Sequence, residues 1–147
     1  AMLKVRLIPS LLLREGRCVK GIEFGKYRDV GHPVTAAKVY EAQGADELLF
    51  MDITASANNR STLYDIVSAT AEQCFMPLTL GGRVRSVSDI KQLLRAGADK
   101  VMVNSAAFDN PDLITEGSRE FGNQCVVLSI DHKVGPNSEQ EVFINKR

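Results

Sequence analysis

Short apolar runs alternate with amphipathic stretches along this chain. Three runs end in a polar residue that leads straight into a turn or helix: Glu47-Leu-Leu-Phe-Met-Asp52, Lys100-Val-Met-Val-Asn104-Ser105 and Cys125-Val-Val-Leu-Ser-Ile-Asp131. These runs are too short for helices and too uniformly apolar for half-exposed antiparallel strands, so they predict parallel strands buried on both faces. The alternation predicts four complete strand-helix units and part of a fifth, all sharing one sheet. The first strand is expected over Lys4 to Leu13, followed by an excursion punctuated by Gly16, Gly21, Gly25 and Gly31 that is long for a connection. Pro33 should open a helix that Gly44 closes. A second helix is expected from about Thr62 to Cys74, a third strand from about Pro77 to Leu80, and a helix from about Ser86 to Gly97. That helix begins with Ser86-x-x-Asp89, a capping-box signature. Asn110-Pro111 should cap and start the next helix, and the fifth strand should end at Asp131. Beyond it the pattern breaks, and Val142-Phe143-Ile144 reads as a strand cut short.

The units look duplicated in pairs. Gln43-Gly44-Ala45-Asp46-Glu47 precedes the second strand as Ala96-Gly97-Ala98-Asp99-Lys100 precedes the fourth, although glycine at a helix end is common and chance can supply such a match. Paired repeats fit the α/β class and, within it, a (β/α)8 barrel. Such a barrel takes about 200 residues or more, so residues 1–147 read as the N-terminal half of a single barrel domain. Ala1 ahead of Met2 reads as an added residue, and an end at Lys146-Arg147 as what cleavage after a basic residue leaves. An open half-barrel exposes edge strands and an apolar inner face, which predicts pairing with a second copy or another chain.

Composition narrows the function classes. With 44% hydrophobic residues, and 18 basic residues balancing 18 acidic ones, the chain is an ordinary globular domain without the charge footprint of a nucleic-acid binder. No stretch approaches the roughly 18 apolar residues of a membrane span and no signal-peptide pattern is present, so the expected compartment is the cytoplasm. Cys18, Cys74 and Cys125 lack metal-ligand spacing and read as buried or incidental thiols; no metal or cofactor is expected.

Eight ordered blocks carry a resemblance: Arg6-Leu-Ile-Pro-Ser10, Val19-Lys20-Gly21, Asp46 through Ser56, Gly81-Gly82, Gly97-Ala-Asp-Lys100-Val, Asn104-Ser-Ala-Ala107, Asn110-Pro-Asp-Leu-Ile114 and Ser129-Ile-Asp131. From Met2 to its end the chain resembles about the first half of the cyclase subunit of imidazole glycerol phosphate synthase. The resemblance implies an enzyme that takes ammonia from a glutaminase partner and closes an imidazole ring on a ribulosyl phosphate bearing two phosphates. It implies Asp131 as a catalytic acid/base at the end of the fifth strand, where barrels place such groups. Gly81, Gly82, Asn104 and Ser105 fall where one phosphate binds. Lys20 falls in a loop that closes over substrate, and Asp52, with Thr54 and Ser56, near the ribose or phosphate. Arg6, Glu47 and Lys100 fall in a charged ring at the barrel's bottom through which ammonia enters.

Each residue also has a plainer reading. Asp131 fits a loop cap and Asp52, Thr54 and Ser56 turn caps, Gly81-Gly82 a tight turn, Lys20 a solvated lysine, and the three charges a polar barrel foot. The chain departs from the family pattern at Leu12, which stands where a second catalytic aspartate is expected and cannot titrate, and in a smaller way at Ser10, where cysteine is usual. Arg83 replaces an expected third glycine; it can pair with an anion or block the approach glycine permits. Leu12 points to a paralogue that keeps barrel and glutaminase but aminates another acceptor, resembling relatives linked to acetamidino modification of surface sugars. A non-catalytic phosphate binder or partner scaffold is the third reading, and loss of turnover in Asp131→Asn separates the enzyme readings from it. The fragment alone is expected to be inactive.

Overall fold

The computed structural model describes residues 3–23, 26–54 and 60–144. Gly25, Ser56 and the terminal Lys146-Arg147, singled out above, lie outside the described residues. A first strand, β1 (Ser10–Arg14), turns into an antiparallel pair, β2 (Arg17–Glu23) and β3 (Lys26–Gly31), before helix α1 (Pro33–Ala42). Then come β4 (Leu48–Asp52), α2 (Arg60–Gln73), β5 (Leu78–Gly81), α3 (Val87–Ala96), β6 (Lys100–Val103), the short α4 (Ala106–Asp109), α5 (Asp112–Phe121) and β7 (Val126–Leu128). A separate two-stranded hairpin, β8 (His132–Val134) and β9 (Gln140–Val142), follows.

One seven-stranded sheet has the order β3-β2-β1-β4-β5-β6-β7, and its β1-β4-β5-β6-β7 part is parallel throughout. This is the βα-unit alternation of a (β/α)8 barrel's first five strands, left open along β3 and β7 among the described residues. Strand parity separates the two faces. Phe50, Leu80 and Val101 lie in one register row, fully buried against Val67, Ile90 and Leu113 from the helices. Leu12, Met51, Gly81, Met102 and Val127 form the next row on the opposite face, which no described helix covers.

The local signals explain the helices. Pro33 sits in the first turn of α1, where its missing N–H costs nothing. Ser86 Oγ accepts from Asp89 N at 3.1 Å while Asp89 Oδ2 accepts from Ser86 N at 3.1 Å, so the expected capping box forms. Gly97 ends α3 at φ 124°, and a side chain there would meet Ala71 Cβ at 2.7 Å. The Gly-Ala-Asp repeat has a structural counterpart. Asp46 N donates to Leu7 O at 2.9 Å and its Oδ2 accepts from Leu7 N at 2.7 Å; Asp99 makes the same two bonds to Leu78 at 2.9 and 2.8 Å. Each aspartate thus fastens the entry of one strand to its neighbour by both backbone groups.

Four boundaries differ from expectation. Lys4 to Pro9 is not strand: only Leu7 O and Pro9 O accept backbone bonds from the β4 segment, Pro9 has no N–H to give, and Leu3 and Val5 stand 99% and 89% exposed. The glycine-rich excursion is the β2–β3 hairpin, extending the sheet with bulges at Cys18/Val19 and Gly21/Glu23. Asn110 makes no side-chain cap; Pro111 occupies that position. Ladder pairing of the fifth parallel strand stops at Leu128, and the segment after Asp131 pairs with itself as β8–β9. No helix among the described residues is long and apolar enough to cross a membrane.

Candidate functional site

Parallel strands place their C-terminal ends on one rim and their starts at the opposite foot. At the foot, Glu47 immediately precedes β4 and Lys100 begins β6, both with the parity of the uncovered face. Glu47 is 6% exposed and accepts from Arg6 Nη1 on one side and from Lys100 Nζ at 3.3 and 3.5 Å on the other. A buried carboxylate is costly unless paired, and two cations satisfy this one. The three residues expected at the barrel's bottom are therefore one compensated cluster.

Above it, past the Ser10-Leu49-Thr79 row, the Leu12-Met51-Gly81-Met102-Val127 row of the uncovered face is apolar. Gly81 lies between Met51 and Met102, whose Sδ and Cε atoms come within 2.5 and 2.7 Å of where a side chain would start. Any larger residue would displace both methionines. Leu12, beside Met51 in the register, keeps this row free of titratable groups.

The rim holds two separate groups. On the β6–β7 side, Asn104 Nδ2 donates to Asp131 Oδ2 at 3.1 Å. Ser105 is exposed and starts the turn into α4, with its carbonyl accepting from Phe108 N at 3.1 Å. On the β4–β5 side, Asp52 Oδ1 accepts from Thr54 N at 3.0 Å and Thr54 Oγ1 at 2.5 Å, forming an Asx turn. Thr54 Oγ1 in turn accepts from Glu15 N at 3.0 Å, tying this turn to the β1–β2 corner. Gly82 has φ 97°, and a side chain there would strike Asp52 O at 2.1 Å, so glycine permits the close approach of two rim turns. Arg83, in left-handed conformation at φ 56°, donates from Nη1 to Thr54 O at 3.1 Å, and its own carbonyl accepts from Arg60 Nη2 at 3.2 Å. At the expected third glycine, then, an arginine braces the rim.

The structure thus joins Arg6, Glu47 and Lys100, joins Asn104 with Asp131, and places Gly81 and Gly82 at the end of the strand next to β6. Asp52 keeps one carboxylate oxygen within its own turn. Lys20 is not brought to the rim pair: it is exposed on β2 opposite Arg28, and β1, β4 and β5 lie between β2 and β6.

Three features escaped the sequence reading. Arg60 pairs with Asp89; burial pushes the Asp89 carboxyl up, but hydrogen bonds from Arg60 and the Arg85 N–H, with the nearby positive charge, leave it below its ordinary value. Donating that bond to Asp89 raises Arg60 in turn. Glu41 Oε1 accepts from Phe75 N at 2.5 Å and Met76 N at 2.9 Å, holding the 99% exposed Phe75 on the foot side. The β8–β9 hairpin anchors the rim through Phe143 N, which donates to Asp131 O at 2.8 Å. The Ser86-x-x-Asp89 spacing was the one available signal, and it named Asp89 as a cap without its arginine.

Burial raises the Cys18 and Cys74 thiols, which suits packing rather than nucleophilic work. Among the described residues no group of three or more histidine, cysteine, aspartate or glutamate side chains is arranged to hold a metal ion. A family model described as "Histidine biosynthesis protein" matches residues 6–147.

Proposed function

The chain belongs to the histidine biosynthesis protein family, a family of barrel enzymes, and from that premise we propose that the full-length protein is an ammonia-dependent cyclase of the imidazole glycerol phosphate synthase type. In this reading it works with a glutaminase partner on a ribulosyl substrate bearing two phosphates. The observation that carries it is the vertical order of one sheet face. The compensated Arg6–Glu47–Lys100 cluster lies at the foot, the Met51–Gly81–Met102 row above it, and Asp131 at the rim. Charge at the entrance attracts a small polar reactant. An apolar stretch favours neutral ammonia over ammonium because it offers no compensation for a charge.

Asp131 is the acid/base group. Ammonia addition and ring closure both move protons, and a carboxylate at a strand's C-terminal end can accept and return them. Backbone N–H groups around Gly82 and Ser105 are the donors for one phosphate, a role that suits turn amides since they bring oriented dipoles without lysine. The foot is the side on which the glutaminase docks.

Leu12 favours a second reading. It holds the position of the other expected acid/base group, half-buried in the apolar row, so that row supplies no second acid/base group beside Asp131. A paralogue that aminates a different acceptor, as in acetamidino modification of surface sugars, needs fewer proton relays. Ammonia-driven turnover of the ribulosyl substrate by the full-length protein tests both. Turnover by the native protein supports the cyclase; no activity until Leu12→Asp is introduced overturns it for this protein.

A further inference from the structure

Asn104 falls among the phosphate-binding candidates, yet its side-chain partner in the structure is a carboxylate. Val103 pairs with Leu128 in the β6–β7 register, and Ser129 N donates to Val103 O at 2.9 Å, carrying the ladder past the end of β7. That continuation brings the residue after β6 alongside the segment that ends at Asp131. Asn104 Nδ2 then lies 3.1 Å from Asp131 Oδ2. A carboxylate only accepts hydrogen bonds, so the amide nitrogen, and not its oxygen, must face Asp131; the chemistry fixes the amide's orientation. The aspartate is held a second time at its backbone, where Phe143 N donates to its carbonyl at 2.8 Å. Oδ2 is thereby turned toward β6, and Oδ1 has no partner among the described residues.

We propose that Asn104 is a positioning residue for Asp131: its amide fixes the carboxylate so that Oδ1 faces the reacting atoms. This rests on the cyclase-type reading above for its kinetic test, and on hydrogen bonding alone for its spectroscopic one.

In the full-length protein, Asn104→Ala should lower kcat for ammonia-dependent turnover by about 10²-fold, the usual cost of a misplaced group, with KM held within about threefold. Placed in an Asp131→Asn background, Asn104→Ala should cost nothing more, since residues acting as a unit are not additive. The Kd for inorganic phosphate should move by less than about threefold in the single variant. A raised KM and phosphate Kd with unchanged kcat overturns the proposal and leaves Asn104 an anion ligand. Independent, multiplying effects of the two substitutions also overturn it. In ¹⁵N spectra of the full chain, Asp131→Ala should displace the Asn104 side-chain NH2 peaks and Asp52→Ala should not. Peaks indifferent to Asp131 overturn the proposal even in an active protein. A native protein without turnover sinks the parent reading only, and the NH2 peaks then decide for Asn104.

Discussion

The foot and the rim of the same sheet are built on opposite principles. At the foot, a nearly buried carboxylate is neutralised by two cations drawn from β6 and from the segment ahead of β1, so the cluster is complete within the chain. At the rim, Asp131 and Ser105 stand in solvent and Asp131 has one hydrogen-bonding side-chain neighbour among the described residues. Groups that satisfy one another stabilise the fold; groups left half-satisfied are the ones with capacity for a ligand. The difference separates residues kept for architecture from those available for chemistry, and substitutions at each end test the division.

The largest effect is expected at the rim and on activity alone. Asp131→Asn should reduce ammonia-dependent turnover of the full-length protein by about 10²- to 10⁴-fold. Urea unfolding should shift by no more than about 0.5 kcal/mol, because the side chain is exposed. Equal losses of activity and stability would erase the contrast. Gly82→Ala comes next and acts on stability: left-handed backbone and collision with Asp52 O should cost about 2–4 kcal/mol, read from the denaturant midpoint. At the foot, Glu47→Gln leaves two cations facing each other. Because Arg6 is more than half exposed, the expected loss is about 1–2 kcal/mol rather than the full cost of a broken buried pair.

The smallest effect concerns Asp89, whose native carboxyl titrates below its ordinary value. A depressed native pKa adds stability above the unfolded value of about 3.9 and loses it as pH falls through the native one. The advantage of the wild type over Asp89→Asn should be roughly 1 kcal/mol at neutral pH, discounted for the exposure of Arg60, and should fade below about pH 4. Thermal unfolding of both proteins from about pH 3 to 7 measures it; a gap that widens in acid contradicts the assignment.

The parts that were legible in the sequence are those governed by local periodicity. The runs ending at Asp52 and Asn104 became β4 and β6, Ser86 and Asp89 formed their box, and parity placed Lys100 and Met102 on one face. The β2–β3 hairpin escaped because edge strands need not be apolar, and Arg17, Lys20, Lys26 and Arg28 read as loop. Lys4 to Pro9 misled in the opposite direction: the strand expected from Lys4 to Leu13 begins its ladder pairing only at Ser10. The Asn104–Asp131 bond depends on how β6 and β7 are registered, and no pattern within either segment specifies that.

The twin aspartate clamps carry a consequence for the order of assembly. Asp99 closes a span of 21 residues to Leu78, whereas Asp46 closes one of 39 to Leu7. Chain-closure entropy favours the shorter span by about 0.5 kcal/mol, or roughly 2.5-fold. On closure entropy alone, the β5–α3–β6 module is the one favoured to close first, ahead of the amino-terminal one.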